Sequence, residues 1–147
     1  MRKKQKYQWE KMTLGTCYYP EHWDKSLWRE DLQRMLACGI TTIRIGEFAW
    51  SKVEPREGEF TYEFFDSFLD VVKETPMKVI FGTPTATPPA WLTNKYPEVL
   101  NCRMDGVKFR HGMRRHYNYN SPVYRELCGR IVEKFIEFCD RFRFDLQ

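Results

Sequence analysis

Gly15-Thr16-Cys17-Tyr18-Tyr19-Pro20-Glu21-His22-Trp23 is followed, one strand-helix-strand interval later, by Ile43-Arg44-Ile45-Gly46-Glu47-Phe48-Ala49-Trp50. Each stretch is a short apolar strand ending in a cluster of carboxylate, aromatic and basic side chains. The carboxyl ends of parallel strands face the same way, so a parallel β/α protein gathers such clusters into one pocket. These two stretches therefore predict an α/β fold with its chemistry at the strand ends.

Working outward, strand one covers about 13–18, and Asp24 to Cys38 places Trp28, Leu32, Met35 and Leu36 on one helical face, with Gly39 as a stop. Ile40 to Gly46 is a strand rich in β-branched residues, suited to burial on both faces. Ser51 to Phe60 holds Pro55 and Gly58 among charges and reads as a loop; Tyr62, Phe65, Leu69 and Val72 then recur at helical spacing. Met77 to Phe81 is the third strand. Its exit, Gly82 to Leu92, contains Pro84, Pro88 and Pro89 and is expected to form neither helix nor sheet. A loop from about 94 to 120 follows, long enough to suggest a function, and carries Arg114, Arg115, His116 and Tyr117. Ser121 is an N-cap and Pro122 a first helical residue, opening a helix with the stripe Leu127, Ile131, Phe135 and Phe138 through about Arg141.

The order is βαβαβα. Right-handed crossovers fit an open doubly wound sheet or a (β/α)8 barrel, and the lack of a glycine-rich phosphate loop after strand one favours the barrel. A barrel takes about 250 residues, whereas this chain has 147 and stops where a fourth strand is due.

With 42% hydrophobic and 16% aromatic residues the chain can build a core, and a net charge of +4 is too mild to point to nucleic acid. No run of about 18 apolar residues suggests a membrane span, and the basic start is not followed by a signal-peptide core, so a cytoplasmic protein is expected. Cys17, Cys38, Cys102, Cys128 and Cys139 lack C-x-x-C spacing and read as buried free thiols rather than a disulfide frame or zinc cage.

Four motifs in order carry a resemblance: Tyr18 to Trp23, Arg44 to Ser51, Thr83 to Leu92, and Arg114 to Tyr117 running on to Ser121-Pro122. Together they resemble the amino-terminal part of the glycoside hydrolase family 42 β-galactosidases. The resemblance implies a (β/α)8 barrel, retaining hydrolysis of terminal β-D-galactosides and often a homotrimer. Residues 1–12, polar and basic, read as a flexible tail, and the resemblance implies 13–147 as the start of the catalytic barrel, truncated before strand four. Retention needs two carboxyl groups about 5–5.5 Å apart. In this family they follow strands four and seven, so both catalytic glutamates are expected beyond the end of this chain, leaving it inactive alone. Arg114 matches the arginine that holds galactose, and a planar guanidinium fork suits several hydroxyl oxygens. Asn118 stands where some members have a zinc-ligand cysteine, which speaks against a metal or other cofactor.

Glu21 and Glu47 end neighbouring strands, about 4.8 Å apart, and are read as groups supporting the pocket rather than as the catalytic pair. Arg44 either supports the nucleophile's pocket electrostatically or is an internal ion-pair partner; both readings stay open. Among Trp23, Trp50 and Trp91, which could stack on a sugar or pack the barrel top, Trp91 is placed nearest the pocket rim. His22 and His116 lack ligand spacing, and His116 is the one expected in the pocket lining. The alternative to a galactosidase fragment is a non-catalytic carbohydrate-binding or interaction module, or one piece of a split enzyme.

Overall fold

The computed structural model describes residues 12–113 and 115–141. The expected tail, apart from Met12, and Arg114 lie outside the described residues. Three strands, β1 (Gly15–Cys17), β2 (Thr42–Ile45) and β3 (Lys78–Phe81), form one parallel sheet in the order β1-β2-β3. Cys17 pairs with Arg44 and Arg44 with Ile80, which puts these three side chains on one face. The other face carries Ile43 and Ile45, both fully buried. Among the described residues the sheet is open, the arrangement expected of part of a (β/α)8 barrel.

Helices α1 (Trp28–Ala37), α3 (Glu63–Lys73) and α5 (Pro122–Arg141) cover the buried face. Of the expected stripes, α1 buries Trp28 and Leu32 and half-buries Met35 and Leu36; α3 buries Phe65, Leu69 and Val72, with Tyr62 just before its start and Phe68 in addition; and α5 buries Leu127, Ile131, Phe135 and Phe138. Aromatic edges join the layers. Trp28 meets Phe68 edge-on at 5.2 Å, Phe65 meets Phe81 at 4.7 Å, Phe81 meets Phe135 at 4.9 Å, and Tyr62 stacks on Phe138 at 4.3 Å. Such pairs add about 0.5–1.5 kcal/mol each beyond area burial. Ser121 caps α5, its Oγ accepting from the Tyr124 amide at 3.3 Å. No helix among the described residues is long and apolar enough to cross a membrane.

Three expectations are corrected. Ser51 to Phe60 is not all loop, because α2 (Trp50–Val53) makes one helical turn. The reason is Glu54, fully buried, whose carboxylate accepts from Trp50 Nε1 at 2.8 Å, Gly58 N at 2.8 Å and Arg130 Nη2 at 2.9 Å. Gly82 to Leu92 does contain helical structure: a 3-10 turn at Pro84–Ala86 and the start of α4 (Ala90–Lys95). Its prolines sit at helix starts, with Pro84 at the first position of the turn and Pro89 as the N-cap of α4, where a missing N–H costs nothing. Third, Cys17, Cys38 and Cys102 are exposed rather than buried; Cys128 and Cys139 are half-buried, and all five are free. Cys17 lies on the same face of the sheet as Arg44 and Ile80 and is exposed, with the Tyr19 phenol within its reach.

The 94–120 segment is also more ordered than a plain loop. It holds a 3-10 turn at Pro97–Val99 and antiparallel bridges Leu100 to Tyr117 and Cys102 to Lys108.

Candidate functional site

The ends of β1, β2 and β3 and the 110–117 segment enclose a cleft of about 710 Å³. Its position follows from two glycines. Gly46 has φ +87°, and a Cβ there would lie 2.0 Å from Phe81 Cε2, so only glycine lets the chain turn so close to β3. A Cβ on Gly82 would lie 3.1 Å from Glu47 Cβ, so the exit of β3 closes directly on Glu47. Thr87 Oγ1 donates to Phe48 O at 2.8 Å and Tyr124 Oη donates to Thr85 O at 2.7 Å, tying the third strand's exit to the second and to α5.

Glu47 lines the cleft yet is only 6% exposed. Its Oε1 lies 3.1 Å from Arg44 Nε and accepts from Tyr19 Oη at 3.2 Å, while Oε2 is buried with no hydrogen-bond partner among the described residues. Arg44, whose side chain is 54% exposed, lines the same wall. The Tyr19 phenol is pushed up to about 12, first by burial and then by Cys17 and the Glu47 charge, so it stays protonated and donates. Tyr19 and Phe48 meet at 5.4 Å, giving the cleft an aromatic wall.

On the opposite side, His116 is buried and its Nδ1 donates to Met113 O at 2.6 Å. Nε2 has no partner among the described residues. His111 Nδ1 lies 2.9 Å from Thr93 Oγ1, and the two imidazoles meet edge-on at 5.0 Å. Burial and then His116 hold the His111 imidazole below its ordinary pKa. Arg115, the one non-glycine at positive φ (58°) among the described residues, lines the cleft beside them.

Of the residues singled out in the sequence, the cleft thus brings together Arg44, Glu47 and His116. Glu21 is not in its lining; both its carboxylate oxygens are buried without a hydrogen-bond partner among the described residues. Burial holds that carboxyl above its ordinary range, opposed by its own backbone amide and His22 and reinforced by Glu47. Trp91 sits away from the cleft, its Nε1 donating to Glu54 O at 2.8 Å; Trp50 is fully buried, and Trp23 is exposed elsewhere. Asn118 Oδ1 accepts from the Asn120 amide at 2.9 Å, closing a local turn. Tyr19, Phe48, His111 and Arg115 were not singled out as cleft residues in the sequence, although Tyr19 and Phe48 lie inside the two opening stretches and Arg115 stands beside Arg114.

Comparison with known proteins adds an independent line. The glycoside hydrolase family 42 model, described as β-galactosidase, matches residues 17–143. A β-galactosidase of Thermus thermophilus is 48% identical over 124 residues, which are 84% of this chain and 19% of that protein. The β-galactosidase Bga of Halorubrum lacusprofundi is 41% identical over 126 residues, 86% of this chain and 18% of that protein. Among solved structures, the β-galactosidase of the psychrophilic Marinomonas ef1 superposes with TM-score 0.80 at 49% identity, over 84% of this chain and 19% of that one. That of Bacillus circulans sp. alkalophilus gives 0.84 at 29% identity, over 93% and 20%. The chain thus spans about a fifth of the length of the relatives it matches.

Proposed function

The chain belongs to the glycoside hydrolase family 42 β-galactosidases, and from that premise we propose that it supplies the first three β/α units of a barrel that hydrolyses terminal β-D-galactosides with retention. The observation that carries the reading is the cleft at the carboxyl ends of β1, β2 and β3, where catalytic barrels build their sites. Arginine donors and an aromatic wall suit a neutral sugar: guanidinium forks bind hydroxyl oxygens, and rings cover the apolar face of a pyranose. Arg114, by its match to the family's galactose-holding arginine, holds the galactose hydroxyls, and its neighbour in sequence, Arg115, lines the cleft.

The retaining mechanism needs a nucleophile and an acid/base about 5–5.5 Å apart. Glu47 is the one carboxylate lining the cleft among the described residues, and its Oε1 is taken by Arg44 and Tyr19. The catalytic pair is therefore supplied by strands outside these 147 residues. Arg44 supports the nucleophile's carboxylate electrostatically, and the chain without that pair binds sugar weakly and turns nothing over. The same single carboxylate favours one second reading, a sugar-binding module without catalysis.

The experiment is complementation. The chain is co-expressed with the remaining strands of a family 42 barrel, and the purified complex is assayed with a chromogenic β-galactoside. Turnover is expected from the complex and not from the chain alone. Arg114→Ala is expected to lower kcat/KM of the complex at least about tenfold without preventing assembly. A complex that binds galactose but never hydrolyses the galactoside supports the module; one that does neither removes both readings.

A further inference from the structure

A carboxylate that is 94% buried, with one oxygen unpartnered, is costly unless its charge does something nearby. Glu47 has one cationic neighbour within ion-pair distance among the described residues, the Nε of Arg44 at 3.1 Å. It reaches that neighbour from a corner the backbone cannot shift cheaply, since Gly46 is locked against the Phe81 ring and Gly82 leaves no slack at Glu47 Cβ. Tyr19 Oη, donating at 3.2 Å to the same oxygen, fixes the carboxylate from the β1 side. Side chains from the β1 and β2 exits therefore meet at Oε1 while the β3 exit closes on Glu47 Cβ, and that oxygen faces one edge of a guanidinium whose remaining nitrogens make no other ion pair among the described residues.

We infer that Glu47 is a positioning residue for the reaction proposed above: it fixes Arg44 by its Nε edge so that the two terminal nitrogens stand ready, already oriented, in the cleft wall. An unrestrained arginine loses about 2 kcal/mol of rotamer entropy when it is ordered by a ligand or a charge. Arg44 is half exposed and long enough to swing, so a fixed edge removes that loss from the chemical step. The inference rests on the galactosidase reading for its consequence and on the geometry alone for the orientation of Arg44, and the two are tested separately.

For the orientation, the chain is labelled with 15N-arginine and the Arg44 Hε–Nε resonance is followed in the wild type and in Glu47→Gln. Loss of the carboxylate is expected to shift the resonance and to speed its exchange with water at least about tenfold, while the other arginine side chains keep theirs. For the consequence, the complemented enzyme is assayed. Glu47→Gln is expected to lower kcat about tenfold or more with KM within about threefold, the pattern of a group that acts in the transition state. Glu47→Asp, which keeps the charge but withdraws it by a methylene, is expected not to rescue. Tyr19→Phe, a milder change that leaves the ring in place, is expected to lower kcat in the same direction by less. An unchanged Arg44 resonance in Glu47→Gln, or wild-type kcat in Glu47→Asp, overturns the inference. If the wild-type complex shows no turnover, the galactosidase reading and the kinetic role fall together, and the resonance still decides whether Glu47 holds Arg44.

Discussion

At the scale of single residues, the two glutamates at the strand ends have different fates. Glu47 gains an arginine and a tyrosine, whereas Glu21 gains no hydrogen-bond partner among the described residues and is held above its ordinary pKa, chiefly by burial. A carboxyl whose folded pKa is raised favours folding most below its unfolded value of about 4.3 and loses that contribution as pH rises through the folded one. Glu21→Gln removes the charge that must be desolvated. It is therefore expected to raise the thermal midpoint at pH 7 and to match the wild type near pH 3.5, where both carry a neutral side chain. A midpoint at pH 7 equal to or below the wild type would contradict the burial argument. Both residues were visible in the sequence as polar groups at strand ends, yet nothing there separated them. Which one meets Arg44 depends on the left-handed turn at Gly46 and on the 3-10 turn Pro20–His22 that carries Glu21, and both are tertiary outcomes. Likewise the pattern places three tryptophans near strand ends but not the hydrogen bond from Trp91 to Glu54 that draws it away from the cleft.

At the scale of elements, periodicity decided what was legible. The stripes of α1, α3 and α5 repeat at helical spacing, and the structure buries them. The four-residue α2 and six-residue α4 are too short for a stripe, and charges or prolines surround them, so they were hidden. What makes α2 a helix is one side chain: Glu54 gathers an indole N–H from α2, a backbone N–H from Gly58 and a guanidinium from α5, while its carbonyl takes the Trp91 indole. Its neighbour Glu57 is tied to Lys95 and to Tyr96, so the segment after α2 is also pinned to the end of α4. Glu54→Ala leaves a buried indole N–H and a backbone N–H without their acceptor, and is expected to cost about 3 kcal/mol in denaturant unfolding. Arg130→Ala, which removes a partner whose side chain is 37% exposed, is expected to cost less. Equal effects would mean that the ion pair, rather than the hydrogen bonds to α2, holds this corner.

At the scale of the whole molecule, a three-stranded parallel sheet has one strand with two partners and two with one. Thr42 to Arg44 of β2 are paired on both sides, whereas β1 and β3 each have a partner on one side only among the described residues. The face that carries Cys17, Arg44 and Ile80 is partly open to solvent, with Ile80 51% exposed. Parallel sheets are ordinarily buried on both faces, and free edges invite pairing. If the remainder of a barrel closes on this sheet, protection from hydrogen exchange must change unevenly. In the chain alone, amides that already bond across β2, such as Tyr18 to Arg44 O and Gly82 to Ile45 O, are expected to exchange slowly, and the outward amides of β1 and β3 quickly. In the complemented complex the outward amides are expected to slow by at least about tenfold while those bonded across β2 change little. Edge amides that are as protected in the dilute chain as those of β2, and indifferent to the added strands, would show that these edges are closed by something other than the missing barrel.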